Sequence, residues 1–295
     1  MKVLVTGATG MLGQDVVAIA RSQRHEVIAL DHEHLDVTDA AAVERRIERS
    51  RPHAVINCAG WTDVDGAEEN EAEATAVNGE GAANLAAATA RVDARLVYPS
   101  TDYVFDGSKR QPYVESDQPA PLNAYGRSKA AGEKATADRN RRSYVVRTAW
   151  LFGPGGSNFV ETMLRLGSDG GHVVVVHDQV GSPTYTGHLA AGLVRIIDGP
   201  AYGIHHMAGS GQCSWFEFAE EIFRQSSLSC RVFGATSDMV ARETERPKYS
   251  ALKSGRETPI VLPPWKRGLA DYLARRARMV ARETEDAPAD QLVES

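Results

Sequence analysis

Tyr125 and Lys129 stand four positions apart in Tyr-Gly-Arg-Ser-Lys, and a Ser100-Thr101 pair precedes them in the chain. On a helix the i and i+4 side chains share a face, so the spacing can bring an ammonium to a phenol. A free phenol titrates near ~10, too high for ready proton exchange at neutral pH, and a cation within a few ångströms favours its ionised form. With the hydroxyls of Ser100 and Thr101 close by, the set describes a hydride-transfer site in which the tyrosine handles the proton. The chain carries its own control, because Tyr249 and Lys253 repeat the spacing. They lie far from any segment that could hold a coenzyme and are read as a surface or substrate-side stretch.

Positioning that trio requires a framework, and the framework starts at residue 2. Lys2-Val3-Leu4-Val5-Thr6 is a short β-branched run followed at once by Gly7-Ala8-Thr9-Gly10-Met11-Leu12-Gly13, which predicts a strand, a tight turn and a helix start. Glycines there let the backbone approach a pyrophosphate, and the free N–H groups of the helix beginning near Met11 attract its charge. A second strand candidate, 25–30, ends at Asp31, 18 residues beyond Gly13, where a carboxylate can accept from an adenosine ribose. That carboxylate leans toward NADH, while His32, Arg21 and Arg24 soften the repulsion of a 2′-phosphate, so both nicotinamide coenzymes remain open. Further strand candidates at 53–57, 94–99 and 143–148 alternate with helix candidates at 38–50, 69–92 and 124–138. This alternation predicts a parallel, doubly wound sheet with its ligands beyond the carboxyl ends of the strands. Further on, 158–166, 185–197, 214–226 and about 266–282 are expected to be helical, the third with Ser214 as N-cap and Glu217 three residues on.

The 295 residues are 42% hydrophobic, enough for a sizeable core. No apolar run reaches membrane-spanning length, and the first strand leads into glycines, not into a signal-peptide core, so a cytoplasmic protein is expected. Cys58, Cys213 and Cys230 are odd in number and lack C-x-x-C spacing, which suits a reducing compartment and offers no zinc site. Lys plus Arg at 33 against Asp plus Glu at 39 leaves a net charge of −6, so no positive field recruits nucleic acid. His205-His206 is read as a strand end. The heptapeptide Met-Val-Ala-Arg-Glu-Thr-Glu occurs at both 239–245 and 279–285, too short and too rare for a repeat architecture.

Taken together these residues resemble the extended short-chain dehydrogenase/reductases, and within them the dTDP-4-dehydrorhamnose reductase family. The likeness runs from residue 2 to about residue 275. It is carried by Ser100-Thr101-Asp102-Tyr103-Val104-Phe105-Asp106-Gly107, Arg147-Thr148-Ala149-Trp150 and Asp178-Gln179-Val180-Gly181-Ser182-Pro183-Thr184, and also by His206-Met207-Ala208-Gly209-Ser210-Gly211 and Arg246-Pro247-Lys248-Tyr249-Ser250-Ala251-Leu252. The resemblance implies a Rossmann-type doubly wound parallel sheet with a smaller interleaved α+β substrate domain. Residues 1–150, with about 185–200 returning, would bind the dinucleotide, about 151–184 and 201–282 the substrate, and 283–295 would be a disordered tail.

The resemblance also implies reduction of the C4 keto group of dTDP-4-dehydro-L-rhamnose by hydride from NADPH or NADH. Tyr125 would protonate the alkoxide, Lys129 would lower the phenol's pKa and bind the nicotinamide ribose, and Thr101 would donate to the substrate carbonyl. Gly7, Gly10, Met11, Leu12 and Gly13 would hold the pyrophosphate and Asp36 and Val37 the adenine, with Ala59, Gly60 and Trp61 on the path to the nicotinamide. Trp61 departs from the family's tyrosine or histidine. Asp102, Tyr103, Trp150 and Arg246 would meet the substrate; Trp150 either packs on the sugar ring or fills the domain junction. Two other readings stand beside this one: a 4-ketoreductase for another dTDP-deoxysugar, such as a dihydrostreptose-type synthase, and a non-catalytic nucleotide-binding regulatory subunit. Family members differ in whether they dimerise around a glutamate-bridged Mg2+. Asp15 stands at one such glutamate position, leaving monomer and homodimer both open.

Overall fold

The structure is a computed structural model that describes residues 1–240 and 244–285. Its framework is one parallel sheet of β1 (Lys2–Thr6), β2 (Glu26–Leu30), β3 (Ala54–Asn57), β4 (Arg95–Thr101), β5 (Ser143–Thr148) and the Gly203–His206 strand. The strands lie in the order Gly203–His206, β5, β4, β3, β1, β2. Both faces are covered by helices, so β1, β3, β4 and β5 are buried almost end to end instead of alternating between buried and exposed residues. Val3, Val5, Ile56 and Val146 face α1 (Met11–Ser22) and the Thr186–Ile196 helix. Leu4, Val55 and Leu96 face the Ala40–Ser50 and Gly81–Arg91 helices. The chain runs outward from β1 to β2 and then crosses to β3 on the other side. The crevice at the carboxyl ends of β1 and β3 is therefore the place for a ligand.

Most expected elements lie within a few residues of their places, with β4 extending through Thr101 to the rim. The helix expected at 69–92 is interrupted. Short helices Gly66–Glu69 and Glu71–Thr75 lead into a π-turn at Ala76–Glu80 before the Gly81–Arg91 helix. The turn holds Asn78, whose carbonyl accepts from the Tyr98 hydroxyl at 2.9 Å and whose amide nitrogen donates to Trp61 O at 3.1 Å and Ser128 Oγ at 3.0 Å. Such widened turns gather at functional sites.

A second core joins Phe152, Val160, Phe218, Ile222, Trp265, Leu269 and Tyr272. They come mainly from the Phe159–Ser168, Trp215–Ser226 and Trp265–Glu285 helices, the middle one opening on the expected Ser214/Glu217 capping box. Residues 283–285, placed in the tail by the sequence, continue the last helix; the rest of that tail, 286–295, lies outside the described residues. The repeated heptapeptide takes two conformations. Met279–Glu285 is helical, whereas Met239 closes a 3-10 turn and Val240 is extended, 241–243 being outside the described residues. Surroundings override local propensity there. Among the described residues no helix is long and apolar enough to cross a membrane.

Candidate active site

Gly7 follows β1 with φ +59°, and a Cβ there would lie 2.5 Å from Ala59 N and 2.6 Å from the Cys58 carbonyl group. Only glycine fits this left-handed position, which presses the loop against the one leaving β3. Gly10 then caps α1 with no side-chain hydrogen bond, and no acidic residue stands in the first turn. The helix thus presents unclaimed N–H groups and positive dipole to the cleft, which suits a pyrophosphate. Gly10, Met11 and Leu12 line a cleft of about 600 Å³ together with Ala59, Gly60, Ser100, Thr101, Asp102, Tyr125, Lys129 and Trp150. A dinucleotide fits these residues; hydride donation is the chemistry it would bring.

The Ala124–Arg139 helix delivers Tyr125 and Lys129 to this cleft. Asn123 caps it by accepting from Gly126 N at 2.8 Å, and Glu68 accepts from Ala124 N at 2.8 Å, so the first turn is anchored twice. Burial pushes the Tyr125 phenol well above its ordinary value, the hydrogen bond with Thr101 opposing that rise and Asp102 and Tyr103 adding to it. The ammonium of Lys129 does not sit on the phenol as the i, i+4 spacing suggests. Its Nζ donates to Pro99 O at 2.7 Å and lies 4.2 Å over the Tyr98 ring. Burial lowers Lys129 to about 8, against the opposing pull of Glu133 and Cys58. Thr101 Oγ1 donates to Asp102 Oδ1 at 3.1 Å and accepts from Tyr103 N at 3.1 Å.

Several expected site residues lie outside the cleft wall. Gly13 packs against the Gly7 carbonyl. Asp31 is held by His34, whose backbone N and Nδ1 meet Oδ1 at 3.0 and 2.6 Å. Asp36 accepts from Thr38, and Val37 is buried, its carbonyl taking a bond from Asn84 at 3.0 Å. Trp61 packs beside Tyr125 and donates from Nε1 to Asp63 O at 2.8 Å, while Tyr103 meets the Tyr125 ring edge-on at 5.9 Å. Arg246 pairs with Asp65 at 2.8 Å and lines a separate pocket of about 470 Å³ with Lys248 and Gln179. Trp150 does reach the cleft, at φ +46°, a strained position for a bulky side chain. One face of its ring is covered by Trp215, stacked at 3.5 Å and 4°. Tyr249 bonds Gln212, away from the cleft. Asp15 is engaged within the chain by Thr186 at 2.6 Å and by Arg275, and among the described residues no group of three or more His, Cys, Asp or Glu is placed to hold a metal ion. Sequence reasoning missed Gly155, Gly156 and Ser157, which line the cleft; the Gly-Pro-Gly-Gly-Ser run after β5 was their signal.

Asp102 gives the site a pH signature. Burial pushes its carboxyl up to about 7, against hydrogen bonds from Ser250 and Thr101. Between its unfolded value of 3.8 and about 7 the folded chain keeps a proton that the unfolded chain has released. Its contribution to stability is therefore complete below that window and is lost as the pH rises through it. Asp102→Asn removes the titration, so thermal scans should show the variant gaining on the wild type from about pH 4 to about pH 7.5. A melting-temperature difference constant across that range would refute the raised carboxyl.

The family model described as the RmlD substrate binding domain matches residues 1–278. The dTDP-4-dehydrorhamnose reductase of Streptomyces griseus is 44% identical over 278 residues, 91% of each chain. The dTDP-4-keto-6-deoxy-D-glucose reductase of Streptomyces niveus is 44% identical over 251 residues, 84% of this chain and 87% of its own. A crystal structure of dTDP-4-dehydrorhamnose reductase from Bacillus anthracis in complex with NADP shares 38% identity at a TM-score of 0.90, covering 93% of this chain and 99% of that one.

Proposed function

The chain belongs to the RmlD substrate-binding-domain family, and from that premise we propose that it reduces the C4 ketone of dTDP-4-dehydro-L-rhamnose to the alcohol of dTDP-L-rhamnose with NADPH or NADH. The observation that carries the reading is the meeting of Thr101, Tyr125 and Lys129 in one cleft with the uncapped start of α1. A nicotinamide coenzyme bound along Gly10, Met11 and Leu12 would supply the hydride to C4. Tyr125, held neutral by burial, is in the form that can give its proton to the carbonyl oxygen, closing the balance of hydride plus proton. Thr101 hydrogen-bonds the phenol, and Lys129, held at the Pro99 carbonyl and not on the phenol, adds longer-range positive charge to the cleft. Residues 1–150 with about 185–200, joined by the Gly203–His206 strand that extends the same sheet beyond the expected boundary, serve the coenzyme, and about 151–184 and the rest of 201–282 the dTDP-sugar.

A second reading keeps the chemistry and changes the sugar. The two Streptomyces relatives are equally identical to this chain and are named for different ketosugars. Following NADPH and NADH oxidation with dTDP-4-dehydro-L-rhamnose and with dTDP-4-dehydro-6-deoxy-D-glucose separates them: turnover preferring the first substrate is expected, and preference for the second would replace this assignment. No turnover with either would favour a non-catalytic subunit.

A further inference from the structure

Beneath the cleft one buried ion pair, unused by the proposed reaction, ties together β4, β5 and the Ala124–Arg139 helix. Glu133 is 6% exposed and Arg147 1%. Arg147 donates from Nε to Glu133 Oε1 at 2.9 Å and from Nη2 to Oε2 at 2.7 Å, and Ser100 Oγ donates to Oε1 at 2.6 Å. The guanidinium lies 5.0 Å from the centroid of the Phe105 ring. A buried bidentate pair is weak evidence for stability, because desolvating two charges offsets their attraction and apolar side chains of similar size would serve as well. Its placing is more telling. Glu133 follows Lys129 by one helical turn on the same face, and through Ser100 it grips the residue next to Thr101.

Lys129 is itself 7% exposed and is faced from three elements. Cys58 approaches from the loop after β3, Tyr98 from β4, and Glu133 from its own helix, with Tyr125 one turn earlier. Burial pushes the Cys58 thiol up to about 12 and holds the Tyr98 and Tyr125 phenols high as well, so these groups are neutral near pH 7. Among the facing groups in the described residues, Glu133 is the one that brings negative charge to the ammonium.

Building on the reductase reading, we propose that Glu133 is a positioning residue: clamped by Arg147, it holds Ser100-Thr101 in register with the Lys129 turn and supplies the counter-charge that keeps Lys129 an ammonium inside the cleft. The test uses coenzyme-free protein carrying carbon-13 at the lysine side chains, with the Lys129 resonance assigned by its loss in Lys129→Met. In Glu133→Gln the titration midpoint of Lys129 should move acid by about one pH unit or more. The alkaline limb of kcat/KM should move with it, and Glu133→Asp should bring both back toward the wild type. An unmoved midpoint and limb in a folded Glu133→Gln would overturn the proposal and leave the pair a structural strut. If Glu133→Gln strands Arg147 and fails to fold, Glu133→Gln combined with Arg147→Gln is compared with Arg147→Gln alone, so that the loss of the positive charge cancels, and is judged by the same two readouts. A wild type inactive on every ketosugar would sink the reductase reading, while the lysine titration would still decide this one.

Discussion

Removing one oxygen, in Tyr125→Phe, is expected to lower kcat by about 10³-fold or more while leaving the dissociation constant for NADPH within about twofold of the wild type. The ring keeps its volume and its edge-on contact with Tyr103, so packing is conserved. Thr101 Oγ1 keeps Asp102 as its acceptor at 3.1 Å, and the variant strands no donor. A single neutral hydrogen bond nets only about 1 kcal/mol, so the melting temperature should fall by a few degrees at most. What disappears is the proton for the alkoxide oxygen. Stopped-flow oxidation of NADPH with saturating ketosugar reads the chemical step, and coenzyme fluorescence titration reads binding. Undiminished turnover in Tyr125→Phe would strip the phenol of its role as proton donor, and Thr101 or water would have to take it over. Weakened NADPH binding with unchanged kcat would assign Tyr125 to the coenzyme alone.

How much of this was readable before folding depends on sequence distance. Tyr125 and Lys129 share a helix face because of a local rule, and the loop from Gly7 to Gly13 follows its strand without interruption, so both are written in consecutive residues. The parallel, doubly wound sheet followed from alternation, each strand being an apolar run between helical stretches, whereas the order of its strands was not stated before the structure. What escaped was assembled across elements. Glu133 meets Arg147 from another strand, Asn78 reaches Trp61 across 17 positions through a π-turn that no hydrophobic period announces, and Trp215 covers Trp150 from the second core. The same cause explains where local rules overreached. Lys129 was expected on the phenol, but the carbonyl of Pro99 at the end of β4 competes for the ammonium. Asp31 and Arg246 carry the right charges for ligand contacts, yet His34 and Asp65 engage them in this structure.

Gly13→Ala should be nearly as damaging as the loss of the phenol, by a different route. A Cβ at Gly13 would stand 2.1 Å from the Gly7 carbonyl oxygen and 2.9 Å from Ala8 Cα and the Gly7 carbonyl carbon. All three are backbone atoms of the turn between β1 and α1, so no side chain can swing aside. Either the helix start or the loop must retreat by the better part of an ångström. The loop is pinned: Gly7 is at φ +59° under the Cys58-Ala59 backbone, and its carbonyl accepts from Gly10 N at 3.1 Å. The helix start moves instead, carrying its free N–H groups away from the pyrophosphate position. Affinity for NADPH should fall by about 100-fold or more, and stability by about 1–3 kcal/mol, the usual cost of overpacking. Gly199→Ala is the control, since its nearest neighbours would be 3.9 and 4.0 Å away, and it should change neither quantity. The two effects separate in folded protein, where calorimetric titration measures binding without reference to unfolding. Were folded Gly13→Ala to bind NADPH within about threefold of the wild type, the glycine would be a packing device for the α1 start only, and the pyrophosphate would have to be held elsewhere on the rim.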